Sequence, residues 1–335
     1  MMARLQPMNL RTLNNLTKKT FMRVAVFTFA FAFAALLAVA APPQSKPSST
    51  GFYRLMLGDF EVAALSDGVA VRELDKLSNK PREVREALAR DHETLPVALS
   101  INAFLIHTGS KLLLVDTGAG ELFGERSGHL VSSLRAAGYQ PGQIDAVLLT
   151  HIHGDHSGGL SIKGERVFTN ALVYVDKRDL DFWLNAAEEK AAPPAKKTSF
   201  RQAHATLDPY VRADKLRPFE GAGELFPGIR AVSAYGHTPG HTAYLVESSG
   251  QRLLLWGDTI HIAESQFSDP TITVEYDVDP KAAIASRLKL LAEADKNGYL
   301  VGGEHISFPG LGRVWAEGKG YRWIAVSSSA MPLVD

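Results

Sequence analysis

The residues with the greatest chemical capacity stand in one short run, Thr150-His151-Ile152-His153-Gly154-Asp155-His156-Ser157-Gly158-Gly159. Three histidines and an aspartate fall within six residues of it. In an extended chain alternate residues point the same way, so His151 and His153 reach one metal ion together. Gly154 lets the chain turn, and Asp155 with His156 then points to a neighbouring position. Imidazole and carboxylate suit zinc and similar divalent ions. A polar loop with surface histidines is the plain alternative. The density of donors, after a hydrophobic strand and before two glycines, argues against it.

Three further donors occupy the same kind of place. His237 lies in Gly236-His237-Thr238-Pro239-Gly240-His241, Asp258 in Gly257-Asp258, and His305 in Gly302-Gly303-Glu304-His305. Each follows an apolar run and stands beside glycine. In α/β sheets, sites collect in the crevice beyond the strand ends. One such residue alone is usually structural. Three of them together with the first motif form a set.

The elements that must position these donors are legible as alternating short strands and helices. Ala103–Ile106 and Lys111–Val115 read as paired strands around the turn 107–110. Leu130–Ala137 has helical spacing and stops at Gly138. Ala146–Thr150 and Leu172–Val175 are apolar strands, and Asp176 caps a helix running through Trp183. Ile229–Ala234, Ala243–Val246 and Arg252–Trp256 are further strands. Asp279-Pro280 opens a helix that runs to about Ala294 and stops near Gly298. The fold class is α/β. Residues 184–227 have weak periodicity and many Lys, Pro and Ala, and read as an insertion covering a site.

Composition narrows the functions. Lysine plus arginine equals aspartate plus glutamate at 36 each, so charge makes no case for nucleic acid or an anionic membrane. The absence of cysteine excludes a disulfide, a zinc–thiolate site and a cysteine nucleophile. Residues 1–40 read as a signal peptide: Lys18, Lys19 and Arg23 precede the apolar run Val24–Leu37, and Ala38-Val39-Ala40 offers a cleavage site. The run is short for a membrane anchor, so no stable membrane association is expected after cleavage. Met22 is an alternative start. Residues 41–50 form a Pro- and Ser-rich linker, and 51–335 the mature domain, located in the periplasm or secreted.

The pattern His-x-His-x-Asp-His, followed by His237, Asp258 and His305, resembles the metallo-β-lactamase superfamily. That resemblance implies an αββα sandwich, in which two mixed sheets pack face to face with outer helices, and a dinuclear site along one edge. It spans Gly51 to about Phe308, with Asp116 matching a buried structural aspartate. Phe52–Gly68, Ala137-Gly138-Tyr139-Gln140-Pro141, Gly236–Thr242 and Gly318-Lys319-Gly320-Tyr321-Arg322 are similar to the group of methyl parathion hydrolase and its periplasmic lactonase and arylesterase relatives. By resemblance, His151, His153 and His237 hold one metal, Asp155, His156 and His305 the other, and Asp258 bridges them. Two divalent ions, zinc first and manganese, cobalt or iron after it, then share a hydroxide that attacks a carbonyl or phosphoryl centre. Asp155 and Asp258 are the candidate catalytic proton acceptors. Related enzymes are often dimers.

The same resemblance places Phe123, Trp183 and Phe200 in a substrate pocket. Tyr276, from its loop position, and His261, three residues past Asp258, join them. An aromatic pocket suits an aryl ester, an aryl lactone or an aryl phosphotriester. His261 and Tyr276 replace aliphatic residues of methyl parathion hydrolase. Their bulk favours planar lactones or aryl esters, with phosphotriesters as promiscuous substrates. The alternatives are an organophosphate hydrolase of the methyl parathion type and a non-catalytic periplasmic metal-binding protein. The missing cysteine argues against a β-lactamase, export against a glutathione-thioester glyoxalase, and the neutral charge against an RNA-processing nuclease. His241 is expected to orient the loop of His237. His92, His107, His129 and His204 are read as structural or surface residues.

Overall fold

Alternation of apolar side chains along the strands builds two sheets with a shared core. The computed structural model describes residues 51–326. The expected signal peptide (1–40), the linker (41–50) and residues 327–335 lie outside the described residues. The first sheet contains β1 (Phe52–Leu57), β2 (Phe60–Arg72), β3 (Val97–His107), β4 (Leu112–Val115) and β5 (Ala146–Leu148). A small hairpin, β6 (Ser161–Ile162) and β7 (Glu165–Arg166), precedes its last strands, β8 (Leu172–Asp176) and β9 (Leu216–Phe219). The order is β1-β2-β3-β4-β5-β8-β9, antiparallel up to β4 and parallel beyond it.

The second sheet runs in chain order: β10 (Gly223–Phe226), β11 (Ile229–Ser233), β12 (Thr242–Ser248), β13 (Gln251–Leu255), β14 (Leu300–Gly302), β15 (Leu311–Glu317) and β16 (Gly320–Ala325). Only β13 and β14 pair in parallel.

The period of two decides which layer each side chain joins. Along β2, Val62 and Ala64 face inward and pack with Tyr244, Val246 and Leu253 of the second sheet. Ala63 and Leu65 face outward, into a second cluster with Leu130, Leu134, Leu207 and Tyr210 from helices. On the other side, Leu290, Leu291 and Ala294 of the helix Pro280–Asn297 cover Ala243, Leu254 and Trp256. Burying each of these leucines stabilises the fold by about 1.5–3 kcal/mol. The layers are therefore helix, sheet, sheet, helix, the αββα sandwich expected from the sequence. The Pro280–Asn297 helix also begins and ends as its sequence dictates. The Asp279 carboxylate accepts from the Lys281 and Ala282 amides at 3.1 Å, and Gly298 closes the helix with φ 62°.

Residues 184–227 are not an insertion. They contain the helix Lys197–Arg212, whose Phe200, Ala203, Leu207 and Tyr210 enter the first core cluster, and then β9 and β10, one strand for each sheet. The segment does reach the site, through Ser199 and Gln202. No helix among the described residues is long and apolar enough to cross a membrane.

Candidate metal centre

The donors leave the fold at strand ends. His151 follows β5, His237 follows β11, Asp258 follows β13 and His305 follows β14. Two hydrogen bonds from β12 fix the first of these loops: the Tyr244 hydroxyl donates to the Leu149 carbonyl (2.6 Å), and the Thr242 amide to that of Thr150 (2.9 Å). Glycine permits the remaining close approaches. A Cβ on Gly159 would stand 2.0 Å from the Thr117 carbonyl oxygen. Gly257 has φ +58°, and a Cβ there would meet His241 Nε2 at 2.4 Å. Gly154 has a different use from the one read in the sequence. It opens the short helix Gly154–Ser157, and its missing side chain leaves room for Gln202 and Leu122.

The seven donors converge as two clusters that share Asp258. In the first, His153 Nδ1 lies 3.0 Å from His151 Nε2 and 3.1 Å from His237 Nε2. Asp258 Oδ2 lies 3.1 Å from His237 Nε2 and 3.6 Å from His151 Nε2. In the second, Asp258 Oδ1 is 3.0 Å from His156 Nε2 and 3.2 Å from His305 Nε2, and those two nitrogens are 3.4 Å apart. Asp155 completes that cluster, 3.6 Å from His305 and 3.9 Å from His156. Tetrahedral ligands on a zinc-sized ion stand about 3.3 Å from one another, so the spacing fits. Asp258 Oδ1 is also buried without a hydrogen-bond donor. Such convergence of lone pairs, with a buried carboxylate oxygen between them, fits divalent cations.

Charge follows the same geometry. Burial, then the neighbouring His156, holds His151 well below the ordinary imidazole range. Burial and His237 do the same to His153. Burial also opposes charge on His156, but Asp258 and Asp116 outweigh it and push His156 well up. Asp258 and Asp277 likewise lift His237 to about 9 against burial. For Asp258 itself, burial is overcome by His156, His305, His261 and His151, and its carboxyl lies well below the usual range.

Four of the five histidines are oriented through the nitrogen that faces away from the centre. His156 Nδ1 meets Asp116 Oδ2 at 2.8 Å, and His237 Nδ1 meets Asp277 Oδ1 at 2.9 Å. His305 Nδ1 meets the Ser100 carbonyl at 2.8 Å. His151 Nδ1 meets Thr150 Oγ1 at 3.0 Å, and that hydroxyl donates to Asp116 at 2.7 Å. Such contacts fix ring orientation and tautomer. Asp116 thus serves both clusters, and it does so from a left-handed backbone, φ 58°. His241 accepts from the Asp258 amide (2.9 Å), and its Nδ1 lies 3.0 Å from the Ala234 carbonyl. It links the Asp258 loop to the loop of His237. Burial, then the charge of His237, lowers it to about 3, in keeping with a neutral ring.

Asp179 was not apparent from the sequence. It is fully buried, and its carboxylate accepts from the Ile152 amide (2.9 Å), the Thr238 hydroxyl (3.0 Å) and the Gly240 amide (2.6 Å). It ties the loop of His151 and His153 to that of His237. Burial lifts its carboxyl to about 6 against those three donors. Asp179→Ala is expected to destabilise the protein by about 2–4 kcal/mol, because three buried donors lose their acceptor. It is also expected to weaken metal binding about 10- to 100-fold. Denaturant unfolding and a metal titration check both; unchanged metal affinity would make Asp179 a packing residue only.

An open cleft borders the centre. Phe123, His261 and Tyr276 line it with His153, Asp155, Asp258 and His305. His261 lies deepest: its Nε2 is 2.9 Å from Asp258 Oδ2 and its ring stacks on His305 at 5.3 Å. His261, Asp258 and His305 form a third group of converging donors, within 4.8 Å of one another. Trp183 and Phe200 are not on this wall. Both are buried behind the centre, with Trp183 edge-on to His153 at 5.2 Å and Phe200 against Trp183 at 4.9 Å. They back the ligand ring and give the cleft no surface. Arg72, Leu99, Ser199 and Gln202, unmarked in the sequence, complete the lining. Fully buried Arg287 holds the wall in place, donating to the carbonyls of Thr259, Pro270 and Ile272.

The sequence pattern of the metallo-beta-lactamase superfamily matches residues 96–305. An N-acyl homoserine lactonase of Bacillus thuringiensis is 23% identical over 219 residues, covering 59% of this chain and 78% of its own length. Two solved structures are similar over most of the chain. A hydrolase in the beta lactamase superfamily, AbOPH, has a TM-score of 0.79 and 35% identity, covering 84% of this chain and 99% of its own. AidC, a dizinc quorum-quenching lactonase, has a TM-score of 0.77 and 30% identity, covering 83% and 98%.

Proposed function

Because this chain belongs to the metallo-beta-lactamase superfamily and is a metal-dependent hydrolase, we propose that it cleaves lactones or aryl esters, with phosphotriesters as slower substrates. The observation that carries this reading is His261. Its imidazole sits inside the cleft, hydrogen-bonded to the carboxylate that both donor clusters share. With Tyr276 at the rim it takes up volume beside the reacting centre. A planar ester or lactone carbonyl needs less room there than a tetrahedral phosphorus with three substituents. Phe123 and Tyr276 offer aromatic surface for an aryl group. The lactonase relatives support the same class of bond.

His151, His153, His237 and Asp258 Oδ2 would hold one divalent ion; Asp155, His156, His305 and Asp258 Oδ1 would hold the other. Bound there, the metals supply an acidified water and a polarised carbonyl, with zinc the best match to an all-His/Asp donor set. The protein's own groups do the rest. Asp155 is 16% exposed while the other ligand side chains of its cluster are 3% or less, so it opens to the cleft and is placed to accept the proton of the attacking water. The histidine ring contacts keep the donors from turning away. Export to the periplasm, as the leader suggests, places the enzyme where small esters and lactones enter the cell.

The test is an activity panel on the metal-loaded mature chain with dihydrocoumarin, phenyl acetate, an acyl-homoserine lactone, methyl parathion and nitrocefin, with and without chelator. Chelator-sensitive cleavage of the lactones or phenyl acetate is expected to exceed the rest. Dominant cleavage of methyl parathion would overturn the ranking, and no turnover with two metals bound would leave a metal-binding protein. His261→Ala, which removes the ring, is expected to raise the ratio of methyl parathion to dihydrocoumarin turnover about tenfold, the scale of one steric clash relieved in a pocket. An unchanged ratio would remove His261 from the specificity wall.

A further inference from the structure

The cleft wall carries one cation that the metal chemistry does not use. Arg72 closes β2 and lines the cleft beside Phe123, Asp155 and Tyr276. Its guanidinium lies over the Phe123 ring, 5.1 Å from the centroid, which fixes its plane. Nη1 donates to the Val71 carbonyl at 3.1 Å and the guanidinium also hydrogen-bonds the Tyr276 hydroxyl, which still leaves N–H donors of its five for a ligand. Its charge draws the ionisation of the Tyr276 hydroxyl down, against the larger effect of burial. Among the described residues no carboxylate forms an ion pair with Arg72, whereas Arg54 and Arg85 each hold one at 2.9 and 2.8 Å. The acidic side chains of the cleft, Asp155 and Asp258, both belong to the donor clusters.

A half-buried guanidinium without a counterion loses hydration that an anionic ligand restores, and its planar fork matches a carboxylate. A neutral ligand closing the cleft would leave that charge unpaired, which discriminates against it. We infer that the preferred substrate is an ester or lactone that itself bears a carboxylate away from the scissile bond, and that Arg72 sets this preference. The inference rests on the ester and lactone reading above.

The experiment compares two esters with one leaving group: the para-nitrophenyl half-ester of adipic acid, which keeps a free carboxylate, and its methyl-capped neutral counterpart. In the zinc-loaded wild-type chain, kcat/KM is expected to favour the carboxylate ester by about tenfold or more, chiefly through KM, with the preference shrinking as salt rises. Arg72→Gln is expected to reduce that ratio to near unity. Arg72→Lys should keep part of it, because charge remains while the planar fork is lost. A wild-type ratio near one, or an unchanged ratio in Arg72→Gln, overturns the inference. If neither ester is turned over, the ester and lactone reading fails instead. Calorimetric titration with monomethyl adipate then still reads Arg72, and equal affinity in wild type and Arg72→Gln overturns the inference independently.

Discussion

Asp258→Ala is expected to yield a folded protein that keeps about one metal ion in place of two and turns over its best ester at least about a thousandfold more slowly. Both carboxylate oxygens are engaged, one toward each cluster. Oδ2 lies 3.1 Å from His237 Nε2, and Oδ1 lies 3.0 and 3.2 Å from His156 and His305. Losing a shared donor costs more than losing a contact behind a ligand, where a 10- to 100-fold effect is usual. The carboxylate also carries negative charge where the two clusters meet and favours the charged forms of His156 and His237, so removing it unbalances both rings. Asp258→Asn separates these effects, since it keeps the shape and loses the charge. Metal content by mass spectrometry, read beside kcat/KM, decides the matter. Two bound ions and full activity in Asp258→Ala would remove Asp258 from the shared position.

The donor set was legible in the sequence because its signals are local. Each ligand follows an apolar strand and stands beside glycine, and the His-x-His-x-Asp-His run concentrates four donors on one loop. Strands β3, β4, β5, β8 and β11 to β13 were legible as short apolar runs, whereas β1, β2, β15 and β16 were not read, although a period of two along β2 assigns each side chain to a layer. What failed depends on long-range approach. Asp179 sits in a helix where an acidic residue reads as solvated, yet its carboxylate reaches residues 27 and 61 positions away. Arg72 ends an ordinary strand, and only the fold brings it to residue 276.

Trp183 and Phe200 were assigned to the pocket by aromatic type and resemblance. Neither tells which side of His153 a ring occupies. The Lys197–Arg212 helix does carry the spacing Phe200, Ala203, Leu207, Tyr210. The surrounding Lys, Ala and Pro, with Pro209 inside the helix itself, masked it.

Removing the metal is expected to lower the melting temperature by about 15 °C. At a thousandfold excess over its dissociation constant each site adds about 4 kcal/mol, and a domain of this size gains roughly 2 °C per kcal/mol. The pH dependence of that loss identifies the ligands. In the protein without metal, Asp258 with Asp116 raises His156 well above its ordinary value, and Asp258 with Asp277 raises His237 to about 9. A group whose folded pKa is raised contributes stability that is fully present below its unfolded value, 6.5 for histidine. That contribution is lost as pH rises through the folded value. The metal-free protein should therefore weaken between pH 6.5 and about 9. The loaded protein moves the opposite way, because metal and proton compete for the same nitrogens and the proton withdraws as pH rises. The gap in melting temperature between loaded and chelated protein is expected to widen across this range. Loading at pH 7 should release protons from His156, His237 and His305, all three raised by neighbouring carboxylates, while His151 and His153, already neutral, release none. Scanning calorimetry at both ends of the range measures the gap. Titration in two buffers of different ionisation enthalpy counts the protons. A gap that narrows with pH, with no proton released, would place the metal on other groups than these histidines.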